Sequence, residues 1–391
     1  MGSSNEKNSN CNLKQVMAKM IEYIMSKLIP ISEPQLSGNE KKYVLDCIEA
    51  GWISSLGSYI ERFESEFAAY CGAKYGVSTS NGTVALHLAL LALGIGKGDE
   101  VIVPTLTFVA SANAVLYTGA TPIFVDADEK TWTIDTKQIL NKITSKTKAI
   151  IPVHLYGHPC DMEAINAIAR AKHLFVIEDA AEAHGATFKD KKVGNLGTIG
   201  CFSFYGNKTI TTGEGGMVVT NNKRLADKAR FLKDHAMSKT KKYYHPILGY
   251  NYRMTNIQAA IGLAQLEQIQ KFLDKKIKIA HMYNQLLGAA HGVVIPPKAG
   301  WATNSYWMYS VLIDKVKYGM SRDQLIQALK KHNIDSRPFF VPMHKLPMYR
   351  TDEVFPVAEK LALQGINLPS STRLSDADVR KVAKVINDLH Q

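Results

Sequence analysis

Cysteine is scarce in this sequence and never occurs as a closely spaced pair. The five cysteines are scattered between Cys11 and Cys201, and no CxxC motif is present. Zinc sites and disulfide frameworks both need cysteines at regular short spacings, so the sequence indicates neither a metal site nor a set of disulfides. A chain of this kind suits a reducing compartment, and we expect it to be cytoplasmic.

Long hydrophobic runs and nucleic-acid signals are missing as well. The longest apolar stretch, residues 84–95, is too short to span a bilayer and contains His87 and Gly94. The basic clusters 239–242 and 275–278 are short, and the basic-aromatic alternation that stacks on bases is absent. We therefore expect no membrane insertion and no nucleic-acid partner. The formal net charge of +12 fits a generally basic surface or a small polyanionic substrate.

The length of 391 residues allows two domains, and we predict three segments. The N-terminal extension is 1–28, the large domain is 29–265 and the small C-terminal domain is 266–391. In the extension the first 12 residues are polar and predicted to be disordered. Apolar residues then recur at helical spacing from Val16 to Leu28, which predicts an amphipathic helix.

Short apolar segments alternate with helical patterns over residues 75–220. The predicted strands are 75–78, 101–103, 122–126, 149–153, 174–177, 200–204 and 216–220, and the predicted helices are 83–93, 107–117 and 161–172. Such alternation is typical of an α/β fold with a mainly parallel sheet covered on both faces. A long helical pattern over 253–287 predicts a connecting helix. The strand 306–313 and the helices 322–331 and 376–389 then suit a smaller α+β domain.

Two polar segments should lie beyond the carboxyl ends of these strands, where such sheets bind ligands. Ser80-Asn81-Gly82-Thr83 joins a strand to a helix, and its free N–H groups could hold a phosphate or simply cap the helix. Asp179 ends an apolar strand, and a buried carboxylate needs a partner. That partner could be the protonated pyridine nitrogen of pyridoxal phosphate or the amides of a loop.

The segment SFYGNKTITTGEGG, residues 203–216, supplies a serine and a lysine near another strand end. It is a glycine-rich loop between two strand-like runs, which places Lys208 where a sheet ends. A lysine amine can form a Schiff base when its pKa is lowered, although a loop lysine is more often solvated. Ser203 could hold a phosphate or bond the backbone. Together with Asp179 and the turn at Gly82, these residues match the needs of a pyridoxal phosphate enzyme.

The chain resembles the DegT-type nucleotide-sugar aminotransferases from Ile29 almost to its C-terminus. The segments that carry the resemblance are SNGTVALHLAL, VIVPTLTFVASANAV, PVHLYGHPCDM, VIEDAAEAHGA, SFYGNKTITTGEGGMV, GYNYRMTNIQAAIGLAQL and INLPS. The resemblance implies the aspartate-aminotransferase fold, which is fold type I of pyridoxal phosphate enzymes. It also implies a homodimer with shared active sites and pyridoxal 5'-phosphate as cofactor.

The same resemblance implies a reaction. The members most similar at GNKTITTGEGG and GYNYRMTNIQAAIGLAQLE aminate GDP-4-keto-6-deoxy-mannose with glutamate as donor, and form GDP-perosamine for surface polysaccharide such as O-antigen. A UDP- or dTDP-linked 4-keto-6-deoxy sugar is an alternative substrate. Related sugar 3-dehydratases have histidine at the position of Lys208, so this lysine argues against dehydration. A regulatory protein without catalysis is the remaining alternative, which the set of Asp179, Ser203 and Lys208 disfavours.

The resemblance also implies a set of cofactor contacts. Lys208 would form the Schiff base, and Asp179 would face the pyridine nitrogen. The residues that would hold the ring and the phosphate in the same subunit are Gly82, Thr83, Phe108 and Ser203. Asn251 would reach the phosphate bound to the neighbouring subunit. Glu182 occupies a position where many members have glutamine and would stand near the ring hydroxyl, so its hydrogen-bonding role stays open.

The segments 52–55 and 337–344 resemble family segments that line the sugar-nucleotide cleft, and the resemblance therefore implies substrate contacts there. The residues predicted to contact the substrate are Ser55, His184, Arg337, Phe340 and His344. Ordinary packing is the alternative for Phe340, and a surface role is the alternative for His344.

Overall fold

A computed structural model describes residues 28–390 of the chain. The predicted disordered segment and almost all of the predicted amphipathic helix lie outside the described residues. None of the helices between residues 28 and 390 is long and apolar enough to cross a membrane.

The strands number fourteen within the described part of the chain. They are β1 (Tyr75–Thr79), β2 (Glu100–Pro104), β3 (Thr121–Val125), β4 (Thr147–Ile150), β5 (Phe175–Asp179), β6 (Thr187–Phe188), β7 (Lys191–Lys192), β8 (Ile199–Ser203), β9 (Gly216–Thr220), β10 (Val293–Val294), β11 (Ala302–Thr303), β12 (Tyr309–Ile313), β13 (Arg337–Pro338) and β14 (Gly365–Leu368). They form a seven-stranded sheet, a four-stranded sheet and a small three-stranded sheet in the order β11-β6-β7.

The α-helices cover these sheets and connect their strands. They are Glu40–Glu49, Ser58–Tyr70, Gly82–Leu93, Ala110–Tyr117, Thr136–Ile139, Met162–Lys172, Lys223–Lys233, Asn256–Leu266, Ile269–Leu287, Lys315–Tyr318, Arg322–Lys331, Pro356–Gln364 and Asp376–Asp388. Short 3₁₀ helices lie at Leu140–Lys142, Leu155–Gly157, Met343–Lys345 and Pro347–Tyr349.

The seven-stranded sheet has the order β1-β9-β8-β5-β4-β2-β3. Its strands run parallel from β8 to β3, and only β9 is antiparallel to both of its neighbours. Side chains of β8 alternate between two apolar layers. Cys201 packs towards the helix Gly82–Leu93, whereas the ring of Phe202 lies 4.9 Å from that of Phe67 on the other face. The predicted mainly parallel sheet, covered on both faces, is therefore confirmed.

A second apolar core surrounds the four-stranded antiparallel sheet β10-β12-β14-β13. The side chains of Val311 in β12 and Ile366 in β14 pack with Tyr283 of the helix Ile269–Leu287. Ile29 is buried in this core and forms a bridge with Ile334, although the predicted division puts Ile29 in the large domain. The α+β character of this part agrees with the sequence pattern, and the domain boundaries stay a prediction.

The helical pattern over 253–287 is wrong as one continuous helix. It folds as Asn256–Leu266 and Ile269–Leu287, because Gln268 leaves the helical conformation with φ −110° and ψ 2°. The side chains at the break bond to another part of the chain. Glu267 accepts hydrogen bonds from Asn39 Nδ2 at 2.7 Å and Tyr43 Oη at 2.6 Å. The apolar periodicity continues across this break, so the sequence pattern could not reveal that one helix ends and another begins there.

Glu64 links the helix Ser58–Tyr70 to β1 and to the helix Lys223–Lys233. Its Oε1 accepts hydrogen bonds from Ser78 N and Ser78 Oγ, both at 2.8 Å, and lies 2.9 Å from Lys233 Nζ. Burial opposes ionisation of this carboxyl, but the Lys233 charge and the Ser78 donors outweigh burial and lower its pKa. A lowered acid pKa stabilises the fold at neutral pH, and this stabilisation is lost as the pH falls through the folded-state pKa.

We expect Glu64→Gln to lower the free energy of unfolding at pH 7 by about 2 to 3 kcal/mol, because Lys233 loses its carboxylate. The difference should begin to shrink below about pH 4.3, where Glu64 of the unfolded chain takes up a proton, and it should vanish only below the lowered folded-state pKa. Urea denaturation at pH 7 and over a series of lower pH values measures these effects. Glu61→Gln, on the exposed side of the same helix, is the control. A loss that is equal in the two variants, or independent of pH, would contradict the proposed linkage.

Candidate active site

The carboxyl ends of β5 and β8 lie side by side, which brings two predicted residues to one edge of the sheet. Asp179 pairs with Cys201 in the parallel register of β5 and β8, and Ser203 ends β8. The turn before the helix Gly82–Leu93 lies against this edge. A Cβ on Gly82 would come within 2.6 Å of the Ser203 Cβ, so this close approach requires glycine. The helix N-terminus and Ser203 are therefore adjacent, as predicted.

Lys208 lies in the loop between β8 and β9, and its side chain is only 10% exposed. Its Nζ is 3.9 Å from Glu182 Oε1 and 3.8 Å from the centre of the Trp307 ring. Burial lowers the pKa of the Lys208 amine, while the charges of Glu182 and Asp179 oppose that shift. The site thus holds an amine that loses its proton more readily than an exposed lysine does.

Asp179 is a buried carboxylate with defined hydrogen-bond donors. Its Oδ2 accepts from Ser111 Oγ at 2.7 Å, and its Oδ1 accepts from Ala181 N at 3.2 Å. Burial raises the pKa of Asp179, and the Ser111 hydroxyl, the Ala181 amide and the Lys208 charge oppose that rise. Ser111 is not among the residues predicted from the sequence. Its only signal was its place within VIVPTLTFVASANAV, a segment read as a strand and a helix.

Glu182 is held by a residue with an unusual backbone. Its Oε2 accepts a hydrogen bond from Tyr156 N at 2.8 Å, and burial raises the pKa of Glu182 to about 7. Tyr156 has φ 53°, in the left-handed region that non-glycine residues rarely adopt. The Tyr156 hydroxyl accepts from Phe340 N at 3.2 Å, so this strained residue joins Glu182 to the segment around Phe340. Such strain is common at functional sites.

Two predicted cofactor residues lie at the margin of this cluster. Phe108 precedes the helix Ala110–Tyr117, is 52% exposed, and its ring centre lies 5.6 Å from that of Phe340. Asn251 is exposed, and its Oδ1 accepts from Arg253 Nε at 3.1 Å. Its neighbour Tyr252 accepts a backbone hydrogen bond from Ser80 N at 2.9 Å, which ties this segment to the turn at the helix N-terminus.

The predicted substrate contacts are dispersed. Ser55 lines a groove of about 350 Å³ whose charged residues are Arg230, Lys233, Asp234, Lys239 and Arg253, with Arg253 paired to Asp234 at 2.9 Å. Phe340 is partly buried, with its ring stacked at 29° to Tyr156. Arg337 is exposed on β13 and pairs with Asp335.

The two predicted histidines are buried rather than open to a cleft. His184 is fully buried among aromatic rings, with ring centres 5.4 Å from Phe202 and 5.6 Å from Phe204, and burial lowers its pKa to about 3. His344 is 2% exposed, and its Nδ1 lies 2.7 Å from Thr105 Oγ1. Its Nε2 lies 3.1 Å from Glu359 Oε1. These positions leave neither imidazole an exposed face for a sugar, and the surface role considered for His344 is wrong.

The chemistry of this cluster fits a phosphorylated pyridine aldehyde. An amine with a lowered pKa, a buried carboxylate and a glycine turn at a helix N-terminus lie together. Asn207 Oδ1 and Thr209 Oγ1, on either side of Lys208, are buried polar atoms without a hydrogen-bond partner among the described residues. Buried polar atoms of this kind are free to bind a polar ligand.

Comparison with known proteins agrees with this chemistry. The family model of the DegT/DnrJ/EryC1/StrS aminotransferase family matches residues 34–387. GDP-perosamine synthase of Escherichia coli O157:H7 is 51% identical over 365 residues, which cover 93% of this chain and 99% of that protein. GDP-perosamine synthase of Caulobacter vibrioides is 49% identical over 367 residues, 92% of this chain and 98% of that protein.

A solved structure extends the likeness to the fold. Spr1654 of Streptococcus pneumoniae in its PLP form matches with a TM-score of 0.87 and 28% identity, over 93% of this chain and 99% of that chain. The chain therefore belongs to the DegT/DnrJ/EryC1/StrS aminotransferase family, which confirms the resemblance inferred from its motifs. It is a sugar aminotransferase of fold type I, and its cofactor is pyridoxal phosphate.

We expect Glu182→Gln to lower the pKa of Lys208 by about one unit, because the variant removes the anion that stabilises the ammonium group. Protein loaded with pyridoxamine phosphate keeps its lysine amines free. Acetylation across a pH series, followed by peptide mapping, gives the midpoint for Lys208. In the control Glu163→Gln, which removes an exposed carboxylate beside Lys189, the midpoint should not move. An unchanged Lys208 midpoint in Glu182→Gln would refute the electrostatic pairing.

Proposed function

We propose that this enzyme transfers the amino group of glutamate to C4 of GDP-4-keto-6-deoxy-mannose and forms GDP-perosamine for surface polysaccharide. The observation that carries the proposal is the buried Lys208 amine beside two carboxylates. It occurs in a chain that is 51% identical to a GDP-perosamine synthase over nearly its whole length. We place the reaction in the cytoplasm, because the four cysteines between residues 28 and 390 are buried and unpaired, which suits a reducing compartment.

Four residues at the sheet edge would hold the cofactor. Lys208 would bind the aldehyde carbon, and Asp179 would face the pyridine nitrogen. The phosphate would lie against Gly82 and Ser203, because the N-terminus of a helix attracts anions. Pyridoxal phosphate then supplies the electron sink that stabilises negative charge on the carbon next to the transferred nitrogen.

Lys208 would also move the proton. A lysine whose pKa is lowered by burial is a better general base near neutral pH than an exposed lysine. Its Nζ would take a proton from the α carbon of the amino donor, hold it as an ammonium group, and later give it up again. Glu182, 3.9 Å away, would stabilise the ammonium between these two transfers. The Tyr156 amide would keep that carboxylate in place.

The orientation of Asp179 is part of the proposal. A carboxylate can keep a pyridine nitrogen protonated only while it is ionised, and burial raises its pKa. The Ser111 hydroxyl, 2.7 Å away, donates to the ionised form and opposes that rise. Ser111 is therefore proposed as the residue that keeps Asp179 charged and oriented.

The diphosphate of the nucleotide sugar would bind in the groove lined by Ser55. Arg230, Lys239 and Arg253 would offer cationic donors to a diphosphate, although Arg253 is paired with Asp234 of the same groove and Arg230 lies near Glu64 and Asp227. Phe340 would lie near the sugar, because it stacks on Tyr156 and approaches Phe108. We do not extend the proposal to His184 and His344, which are buried.

We further propose a homodimer in which each site uses residues of both chains. Support comes from exposed apolar side chains close to the Ser55 groove, namely Trp52, Ile53 and Leu56. Asn251 is exposed, and its Oδ1 accepts a hydrogen bond from Arg253 Nε at 3.1 Å. Its side-chain nitrogen has no hydrogen-bond partner among residues 28–390, so it could donate to a phosphate. The family resemblance assigns that phosphate to the neighbouring subunit. The alternative is the phosphate of its own subunit, since the next residue, Tyr252, is bonded to Ser80.

The reaction is tested by offering glutamate with the GDP-, UDP- and dTDP-linked 4-keto-6-deoxy sugars. We expect amination of the GDP-linked sugar at a kcat/KM at least tenfold above the other two, and identification of the product as the 4-amino sugar by mass spectrometry and NMR. Preferential amination of the UDP- or dTDP-linked sugar would refute the substrate assignment but leave the transaminase assignment intact.

Two controls accompany this assay. Lys208→Ala should abolish turnover, because both the covalent bond to the cofactor and the proton carrier are lost. Borohydride reduction of wild-type enzyme followed by peptide mapping should find the cofactor on Lys208. An adduct on another lysine, or formation of a 3-deoxy sugar in place of the amino sugar, would overturn the proposed mechanism.

The shared site is tested with mixed dimers. Lys208→Ala should be inactive, and Asn251→Ala should retain cofactor poorly. If Asn251 serves the neighbouring subunit, a mixed dimer contains one site with both lesions and one site with neither. Mixing the two proteins should then restore activity towards half of the wild-type value per mixed dimer. No gain in activity, with mixed dimers demonstrated by mass spectrometry, would show that Asn251 serves its own subunit.

A further inference from the structure

Trp307 contacts the Lys208 loop in two ways. Its ring centre lies 3.8 Å from Lys208 Nζ, and its Nε1 donates a hydrogen bond at 2.8 Å to the carbonyl of Asn207, the residue before Lys208. The indole is 5% exposed, so the contact is almost free of water. A tryptophan face attracts an ammonium group, and the attraction strengthens when water is excluded. Trp307 therefore holds both the main chain and the amine of this loop.

Lys276 is a second buried amine, and the mechanism described above does not use it. It lies on the helix Ile269–Leu287 with 4% exposure, and its Nζ donates to Trp307 O at 3.1 Å and Ser370 O at 2.9 Å. Burial lowers the pKa of Lys276 to about 7. Burying an amine costs free energy unless hydrogen bonds or an opposite charge compensate for the lost water. A methionine of similar length would have filled the same space without that cost.

The two acceptors of Lys276 are the main chains beside two neighbouring strands. Trp307 precedes β12, and Ser370 follows β14. Ser370 is itself fixed, because its Oγ accepts from Tyr309 N at 2.7 Å and donates to Leu368 O at 2.7 Å. Lys276 thus fastens the Trp307 main chain to a rigid point of the second core.

We propose that Lys276 and Trp307 form a positioning pair for Lys208. Lys276 fixes the main chain of Trp307, and the Trp307 indole holds the Lys208 ammonium whenever that amine is not bonded to the cofactor. This inference rests on the role proposed for Lys208 above. Neither residue of the pair is proposed to touch the substrate.

The pair explains why the freed amine stays in one place. Asp179 and Glu182 both attract the Lys208 ammonium, and His184 is the other titratable group whose pKa responds to it. Carboxylates alone would draw the ammonium towards themselves. The indole face supplies a further attraction at 3.8 Å, so that the amine returns to one position in each catalytic cycle.

The test measures the pKa of Lys208 from its acetylation midpoint in protein loaded with pyridoxamine phosphate. Trp307→Leu should lower the midpoint by about 0.5 to 1 pH unit, because the ammonium loses a π face. Trp307→Phe, which keeps a weaker face, should give a smaller decrease. Lys276→Met should lower the midpoint in the same direction. Lys278→Met, on the same helix but 55% exposed and paired with Asp376, is the matched control and should leave it unchanged.

A double variant separates positioning from a general structural effect. If Lys276 acts through Trp307, then Lys276→Met combined with Trp307→Leu should shift the midpoint no further than Trp307→Leu alone. Additive shifts, or an unchanged midpoint in Trp307→Leu, would overturn the proposal. Urea denaturation of each variant records any loss of stability. If Lys276→Met fails to fold, Lys276→Gln is used instead: its neutral amide still donates hydrogen bonds, so it should lower the midpoint by a smaller amount.

Failure of this inference is distinguishable from failure of the proposed function. Borohydride mapping of wild-type enzyme decides whether the cofactor binds Lys208, and its outcome does not depend on Trp307. If the cofactor maps to Lys208 but the acetylation midpoint of Lys208 is the same in Trp307→Leu as in the wild type, only the positioning pair is refuted. If the cofactor maps to another lysine, the proposed function is refuted and the positioning pair loses its purpose, whatever the midpoints.

Discussion

One positive charge inside the protein governs the arrangement of the site. The Lys208 ammonium is costly to bury, so groups that favour it have to lie close. Glu182 provides an anion at 3.9 Å, and Trp307 provides a π face at 3.8 Å. Burial and these partners act in opposite directions, and the net result is an amine with a lowered pKa. Both covalent attachment of an aldehyde and proton transfer near neutral pH need such an amine.

The sheet brings the other groups to that charge. Because β5 and β8 are parallel neighbours, their carboxyl ends place Asp179 and Ser203 at one edge. β9 returns antiparallel beside β8, so the loop that carries Lys208 closes over the same edge. The helix that starts at Gly82 directs its N-terminus there, and only glycine allows its approach to Ser203. The strand order therefore brings these residues together at one edge of the sheet.

The segments around β12 and β13 contribute more to the site than their sequence suggested. Trp307 and Phe340 come from these segments, pack with the core of the seven-stranded sheet, and contact the Lys208 loop and Tyr156. Lys276 joins the segment before β12 to the segment after β14, since its amine bonds to the main chains of Trp307 and Ser370. The apolar pattern predicted a strand over 306–313, and the structure has the shorter strand β12 there. Nothing in such patterns states that an indole faces an amine about a hundred residues earlier in the chain.

The sequence by itself determined the fold class and the parallel sheet, and it led to the roles proposed for Lys208 and Asp179, because local periodicity, glycine turns and motif order can be read directly from the chain. Only the tertiary structure decided which polar side chains face the site. His184 and His344 have the residue type of substrate contacts, yet burial in aromatic and hydrogen-bonded surroundings removes them from any cleft. Ser111 has an unremarkable sequence context and nevertheless donates to Asp179. The physical reason is that burial and hydrogen-bond partners depend on contacts between distant segments, which no local pattern encodes.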